Sequence, residues 1–269
     1  LGSVADFVID EPASAGLART LGITTKELAQ QMAQGEDAIR AEFEAKGTDV
    51  DKACLRYVLE AGAGTDTTDF WNGRMDAKRP ADLGLKLDGF IAKKEAVDAD
   101  LEREEVIALR VYTTAAYKSL NNPLLRSMGS SKPAARHPFP ATMGFLASGI
   151  KKLRGNDKSC VTTDLFRGLS SVAVGEAFLE SGGVMSAPMS TSKDMTTAFK
   201  YAASQHMLIL KLKTENFRQR GADISFLSAF PEECEYLYPP GTYLQPVQRE
   251  SFKIGDVELT VVEVTPDIE

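Results

Sequence analysis

Three glutamates lie close together in the stretch 224–244. They are Glu232, Glu233 and Glu235, placed between an apolar loop and an alternating apolar segment that ends in two prolines. In an extended strand, Glu233 and Glu235 would point to the same face of a sheet. Each ionised carboxylate raises the cost of ionising the other, so a fold keeps such a pair where a cation or a developing positive charge offsets the repulsion. The spacing predicts a paired acid site; the alternative is a solvated acidic loop.

Two other polar groups follow segments that read as strands. Arg167 and Gly168 come after the segment 161–166, and the triplet Ser190-Thr191-Ser192 comes after the segment 184–189. An arginine presents a planar fork of donors that suits a phosphate or ribose oxygen, and a glycine lets the backbone approach a ligand closely. A serine hydroxyl can donate a hydrogen bond that orients a carboxylate. The alternatives are a surface ion pair for Arg167 and a helix N-cap at Ser192.

This order of an arginine, a Ser-Thr-Ser triplet and Glu-x-Glu resembles the arginine-serine-glutamate class of mono-ADP-ribosyltransferases. The resemblance extends through Gly221-Ala222-Asp223-Ile224-Ser225 and through Phe230-Pro231-Glu232-Glu233-Cys234-Glu235, which Leu237-Tyr238-Pro239-Pro240 follows. It covers about residues 101–265 and says little about the first hundred residues. The family's helix pattern Y-T-x(3)-Y-x(3)-N, which packs beneath the cofactor cleft, is similar to Tyr112-Thr113, Tyr117 and Asn121. Packing of Tyr117 and Leu120 against the sheet is the interpretation that we favour.

The resemblance implies the roles of individual residues. Those expected to bind NAD are Arg167, Gly168, Ser190, Thr191, Phe199 and Glu235. Arg167 would bind the dinucleotide, the backbone of Gly168 would hold the nicotinamide carboxamide, and Ser190 would hold the catalytic Glu235. Phe199 would either stack on the nicotinamide or pack in the core.

The implied reaction breaks the bond between ribose and nicotinamide in NAD. Glu235 would stabilise the developing positive charge on the ribose. Glu233 would meet the acceptor, and in the family a glutamate at this position goes with arginine as the modified side chain. Phe230 would touch the protein target or act as a local plug. The resemblance therefore implies that Arg167, Ser190, Glu233 and Glu235 are catalytic and that the partner is a protein with an exposed arginine.

Two other functions use the same residues. An NAD glycohydrolase would transfer ADP-ribose to water, because the acceptor loop decides which nucleophile arrives. A non-catalytic NAD-binding scaffold would bind NAD without turnover.

Composition excludes several classes of protein. The 269 residues are 43% hydrophobic and carry a formal net charge of −7, so no basic surface indicates nucleic acid or an anionic membrane. The sequence lacks a run of about 18 apolar residues that would span a membrane. The three cysteines, Cys54, Cys160 and Cys234, are widely spaced and the histidines number two, so no metal site is predicted.

The odd number of cysteines favours a reducing compartment, in the cytoplasm or as the place of action of a secreted effector. The opening Leu1-Gly2-Ser3 is typical of the remnant of a cleaved tag, so a signal peptide or a further domain could have been removed.

Hydrophobic periodicity predicts an α+β fold, with helices first and strands last. We predict a helical region of unknown role over 4–98, with a capping box at Thr24 and Glu27, a helix over 36–46 and a loop around Trp71. The catalytic domain over 99–269 would hold a long helix over 101–125 and a mixed sheet core, as two packed sheets around the NAD cleft. Further predicted helices cover 141–153, 171–181 and 193–203, and strands cover 161–166, 184–189, 207–212, 235–238, 242–248 and 257–264.

Overall fold

The computed structural model describes residues 11–61, 82, 84–126, 135–157 and 160–268. The predicted loop over 66–80, with Trp71, lies outside the described residues. The first half of the described part of the chain forms helices, which are α1 (Glu11–Thr20), α2 (Thr25–Met32), α3 (Glu36–Lys46), α4 (Asp49–Glu60), α5 (Leu87–Ile91), α6 (Lys94–Asp98), α7 (Arg103–Tyr112), α8 (Tyr117–Arg126) and α9 (Pro140–Asn156). Within the described part of the chain, no helix is long and apolar enough to cross a membrane.

The predicted capping box is confirmed at the start of α2. The Thr24 side chain accepts a hydrogen bond from the backbone of Glu27, and the Glu27 carboxylate accepts one from the backbone of Thr24. Thr48 and Asp51 form the same arrangement at α4. These reciprocal bonds satisfy N–H groups that the first turn of a helix leaves without partners.

The prediction of one long helix over 101–125 is wrong. The chain forms α7 and α8, and residues 113–116 separate them. The hydroxyl of Thr114 donates to the carbonyl of Val111 and accepts from the backbone N–H of Ala116. Such local side-chain bonds compete with the helical ladder, so α7 stops at Tyr112 and α8 begins at Tyr117.

The second half of the chain forms a mixed sheet, which confirms the α+β prediction. Its strands are β1 (Thr163–Ser170), β2 (Gly183–Met185), β3 (Met189–Ser192), β4 (His206–Thr214), β5 (Ala222–Asp223), β6 (Glu235–Tyr238), β7 (Thr242–Ile254) and β8 (Val257–Asp267). The order across the sheet is β2-β7-β8-β4-β1-β3-β6-β5, with β4 and β8 parallel and the other pairs antiparallel. Helices α10 (Glu176–Ser181) and α11 (Met195–Ala202) lie in the connections.

Strands β1 and β3 are paired over a very short length. Only Phe166 and Ser192 are paired there, whereas β1 pairs with β4 along its whole length from Thr163 to Ser170. The described strands thus form one continuous sheet with a single-pair junction. The two packed sheets of the prediction are not confirmed.

The strand predicted over 184–189 is in fact two strands. Pro188 lies between β2 and β3 and cannot donate to a sheet ladder. As a result, the triplet from Ser190 to Ser192 lies inside β3. Arg167 likewise lies inside β1 and not at the end of a strand.

One large hydrophobic cluster joins the N-terminal helices to the rest of the molecule. It includes Ile39 and Phe43 of α3, Leu109 of α7, Phe145 of α9 and Leu227 of the loop that precedes Glu233. Burial of such side chains stabilises the fold by roughly 1.5–3 kcal/mol each. The cluster therefore connects this loop to both regions of the sequence, and the division at residue 98 stays a prediction.

Candidate active site

A cleft of about 340 Å³ lies where β1, β3 and β6 meet α11 and the break between α7 and α8. The predicted site residues that line it are Arg167, Gly168, Ser190, Thr191, Phe230, Glu233 and Glu235. The fold therefore brings together residues that are up to 68 positions apart in the sequence, from Arg167 to Glu235.

Arg167 crosses from β1 to β3. Its Nη1 donates to the backbone oxygen of Ser190 at 2.8 Å, and its buried Nε has no hydrogen-bond partner among the described residues. Burial lowers the pKa of Arg167, and the nearby Tyr112, Tyr117 and Glu235 oppose that shift. The guanidinium stays charged because its ordinary pKa is far above neutrality. A fixed cation with an unused donor can bind an anionic group.

Gly168 is required by the packing of a helix. A Cβ at this position would lie 1.8 Å from the carbonyl oxygen of Ala198 and 2.8 Å from the backbone nitrogen of Ala202. The glycine therefore lets α11 lie directly on β1. Its backbone also lines the cleft, and its predicted contact with the nicotinamide carboxamide stays a prediction.

The serine triplet connects β3 to β6. Ser192 pairs with Glu235 in the antiparallel ladder, and side chains two residues apart on a strand share a face, so Ser190 and Glu235 face the same side. Thr191 points to the other side and donates to the backbone oxygen of Tyr236 at 2.8 Å. The predicted hydrogen bond from the Ser190 hydroxyl to Glu235 stays a prediction.

The prediction that Ser192 caps the next helix is wrong. The N-cap of α11 is Asp194, whose carboxylate accepts from the backbone N–H of Thr196 at 2.9 Å. Ser192 instead donates to the backbone oxygen of Glu233 at 2.5 Å and accepts from the N–H of Asp194 at 2.9 Å.

Glu233 and Glu235 lie on different elements. Glu233 ends a 3-10 turn, Pro231–Glu233, whereas Glu235 begins β6, and Cys234 between them has a left-handed backbone with φ of 46°. The prediction that both glutamates alternate along one strand is therefore wrong. The turn nevertheless places both carboxylates at the cleft. Glu235 is buried, with 7% of its surface exposed, and Glu233 is half-buried.

Helix α11 contributes a tyrosine that sequence reasoning missed. The hydroxyl of Tyr201 donates to Oε1 of Glu233 at 2.9 Å. Thr197, Ala198 and Tyr201 line the cleft, whereas Phe199, which was expected there, is half-buried outside the described lining. Residues three or four apart share a helix face, and Tyr201 shares one with Thr197 and Ala198. None of the predicted site residues lies on that face, so the sequence held no signal for the position of Tyr201.

Helices α7 and α8 close one side of the cleft. The hydroxyl of Tyr112 accepts from the amide of Asn121 at 3.0 Å and donates to the backbone oxygen of Pro188 at 3.1 Å. Burial raises the pKa of Tyr112, so it stays neutral. Tyr117 lines the cleft and also packs against the main hydrophobic cluster, most of whose residues belong to helices. Its predicted packing against the sheet stays a prediction.

Two cations hold the loop that carries Phe230. Lys93 donates to the backbone oxygen of Phe226 at 2.8 Å, and Arg110 donates to that of Leu227 at the same distance. The guanidinium of Arg110 also lies 3.5 Å from the centre of the Phe90 ring. Phe230 itself is buried and packs in the main cluster. Helices that precede the sheet in sequence therefore position the loop leading to Glu233.

No cluster of three or more histidine, cysteine, aspartate or glutamate side chains suited to a metal ion occurs in the described ranges. No disulfide joins the described cysteines, which are Cys54, Cys160 and Cys234.

Comparison with solved structures shows a known fold. The ADP-ribosyltransferase HopU1 of Pseudomonas syringae pv. Tomato DC3000 superposes with a TM-score of 0.52 and 19% identity, covering 81% of this chain and 97% of its own. Plx2a, an ADP-ribosyltransferase toxin from Paenibacillus larvae, superposes with a TM-score of 0.46 and 16% identity, covering 67% of this chain and 94% of its own. A mutant of the eukaryotic mono-ADP-ribosyltransferase ART2.2 in complex with NAD superposes with a TM-score of 0.49 and 12% identity, covering 91% of this chain and 86% of its own.

The match to a family is decisive. No curated protein sequence matches this chain. The family model for NAD:arginine ADP-ribosyltransferases matches residues 75–263, which is more than half of the chain and includes every residue of the cleft. The chain therefore belongs to the NAD:arginine ADP-ribosyltransferase family.

Proposed function

We propose that this protein transfers ADP-ribose from NAD to an arginine side chain of another protein and releases nicotinamide. The observation that carries the proposal is the placing of Glu233 and Glu235 in the cleft that Arg167 also lines. One carboxylate is buried and the other is half-buried, so they suit two different tasks. The buried one would act on the substrate that enters the cleft, and the other would act on an acceptor arriving from solvent.

Arg167 is suited to the phosphates of NAD. Its Nη1 is bound to Ser190, which fixes the plane of the guanidinium, and its Nε is buried without a described partner. A buried donor that lacks a partner destabilises a fold by about 1–3 kcal/mol. A phosphate or ribose oxygen that accepted from it would remove this penalty.

Glu235 is suited to the bond-breaking step. The bond between C1′ of the ribose and the nicotinamide nitrogen breaks, nicotinamide leaves as a neutral molecule with the electron pair, and positive charge develops on the ribose. A preorganised carboxylate in a buried site stabilises such charge by several kcal/mol. The burial of Glu235 strengthens this effect, because solvent screens the interaction less.

Glu233 is suited to the acceptor. Its carboxylate can pair with a guanidinium through two parallel hydrogen bonds and can take the proton that the attacking nitrogen loses as it bonds to C1′. The products are then ADP-ribosyl-arginine, nicotinamide and a proton passed to solvent.

The test uses agmatine, a small guanidino compound, together with isotope-labelled NAD. We expect the wild type to form ADP-ribosyl-agmatine, and Glu233→Gln to lose this transfer while it retains nicotinamide release. Glu232→Gln is the matched control, since Glu232 is the exposed neighbour outside the cleft lining, and it should behave as the wild type. Equal transfer by Glu233→Gln and the wild type would contradict the arginine assignment.

The same assay separates the glycohydrolase from the transferase. Nicotinamide release by the wild type with no labelled agmatine and no labelled protein would identify water as the acceptor. Binding of NAD without nicotinamide release would identify a scaffold.

A further inference from the structure

We propose that Tyr201 is a positioning residue that holds the Glu233 carboxylate for the acceptor and offers its ring to the acceptor guanidinium. This inference rests on the proposed function. It adds an acceptor subsite formed by a residue of α11. Tyr201 lies in none of the sequence motifs described above.

The first support is a direct hydrogen bond. The Tyr201 hydroxyl donates to Oε1 of Glu233 at 2.9 Å. A carboxylate offers about four lone-pair positions, and one phenol donor occupies one of them. The bond thus fixes the direction in which the carboxylate faces an acceptor.

The second support is that Glu233 is held at two points by one short segment. Ser192 binds its backbone oxygen at 2.5 Å, and Tyr201 binds its carboxylate at 2.9 Å. Ser192 and Tyr201 lie at the two ends of the segment that enters and forms α11. A glutamate fixed at both its backbone and its carboxylate loses less conformational entropy when an acceptor binds.

The third support is the packing of α11, the helix that carries Tyr201, against β1. Helix α11 lies directly on β1 at Gly168, where no side chain would fit, and Asp194 caps its first turn. The position of Tyr201 is therefore set by the same strand that carries Arg167. The acceptor carboxylate and the NAD-binding arginine share one framework.

The fourth support is the exposure of the ring. Tyr201 lines the cleft and has 47% of its surface exposed, which is high for an aromatic side chain that makes a specific hydrogen bond. Guanidinium groups stack on exposed tyrosine rings with about 0.5–1 kcal/mol of stabilisation. The ring therefore offers the acceptor a second contact beside the Glu233 carboxylate.

The experiment compares Tyr201→Phe, Tyr201→Leu, Glu233→Gln and the double variant Tyr201→Phe/Glu233→Gln. Tyr201→Phe removes the hydroxyl and keeps the ring, whereas Tyr201→Leu removes both. Tyr243→Phe is the matched control, because the Tyr243 hydroxyl bonds to the backbone oxygen of Ser181 and this residue is not among the described cleft lining. The readouts are kcat and KM for agmatine and the rate of nicotinamide release without acceptor.

For Tyr201→Phe we expect kcat/KM for agmatine to fall about tenfold, the size of effect typical of a hydrogen bond to a charged group. Nicotinamide release should fall less than transfer to agmatine, since Glu235 and Arg167 are untouched. Tyr201→Leu should raise KM for agmatine further. The double variant should transfer no more slowly than Glu233→Gln alone, because both changes remove one interaction.

Three results would overturn the inference while the proposed function stands: unchanged agmatine kinetics in Tyr201→Phe, additive losses in the double variant, or an equal loss of transfer and nicotinamide release. A wild type that releases nicotinamide but does not modify agmatine or any protein arginine would instead overturn the proposed function, and the inference with it.

Discussion

The hydroxyl of Ser192 donates a hydrogen bond to the backbone oxygen of Glu233. This bond links the third residue of the serine triplet to the first glutamate of Glu-x-Glu. The bond holds the 3-10 turn that places Glu233 outside β6, and Glu233 lines the cleft from this turn. The triplet therefore contacts the residue that we propose to meet the acceptor, as well as lining the side expected to bind NAD.

Ser192→Ala should loosen this turn. The change removes the donor to Glu233 and the acceptor for the N–H of Asp194, so we expect the free energy of unfolding to fall by about 1–3 kcal/mol. Transfer to agmatine should fall more than nicotinamide release, because Glu235 stays in the β3–β6 ladder. Denaturant unfolding and the two activity assays measure these effects. Ser251→Ala, on the exposed part of β7, is the control, and a Ser192→Ala variant as stable as that control would contradict this role.

Arg167→Lys should weaken the binding of NAD. Lysine keeps the charge but lacks the planar fork, so it cannot hold the Ser190 backbone oxygen and offer a second, fixed donor. We expect KM for NAD to rise about tenfold or more, with thermal stability close to that of the wild type. Titration calorimetry with NAD measures the binding. Arg249→Lys, an exposed arginine paired with Glu176, is the control; unchanged NAD affinity in Arg167→Lys would show that the guanidinium does not bind NAD.

Gly168→Ala should displace α11. The added Cβ meets backbone atoms of that helix, so relief requires the helix to move, and we expect a loss of more than about 2 kcal/mol in the free energy of unfolding. Gly155→Ala is matched to it, since the added Cβ there meets nothing within 4 Å and alanine favours a helix by about 1 kcal/mol.

The two glycine variants are compared by thermal unfolding. If Gly168→Ala unfolds at the wild-type temperature but loses NAD binding, the glycine serves the ligand and not the helix.

Lys93→Met should disturb the loop from Phe226 to Phe230, which leads to Glu233. Lys93 is largely buried, pairs with Asp82 and binds the backbone oxygen of Phe226, so its loss removes an anchor of the loop before Glu233. We expect KM for agmatine to rise several-fold and the free energy of unfolding to fall by about 1–3 kcal/mol, with nicotinamide release preserved.

Lys94→Met is the neighbouring control. Its side chain is 81% exposed and pairs with Asp98 within the same helix, an interaction worth about 0.3–0.5 kcal/mol. Equal effects of the two substitutions would show that the N-terminal helices do not position the loop.

The fold class and the residues of the cleft could be predicted from the sequence, whereas the local backbone geometry at the site could not. The Thr24–Glu27 capping box and the end of α3 at Lys46 follow from local side-chain chemistry, and both are confirmed. The placement of Glu233 and Glu235 on one strand was wrong because Pro231 starts a 3-10 turn and Cys234 adopts a left-handed backbone. Strand periodicity does not reveal such a turn.

The break between α7 and α8 was missed for a local reason, because the hydroxyl of Thr114 bonds to the backbone while the apolar pattern continues through the break. Other features depend on tertiary contacts. Tyr201 belongs to no motif, and its hydrogen bond to Glu233 follows only once α11 lies on β1. Gly168 was expected at the cleft because a glycine lets the backbone approach a ligand. The structure adds a second reason for a glycine at this position, since any side chain would meet the backbone of α11.

The most direct test of the central claim is to map the side chain that this protein modifies. Wild type and Glu235→Gln are incubated with labelled NAD and a cell lysate, and the labelled peptides are sequenced by mass spectrometry. We predict ADP-ribose on arginine side chains with the wild type and none above background with Glu235→Gln, a loss of at least about a hundredfold. Label on other side chains, or equal labelling by Glu235→Gln, would contradict the account.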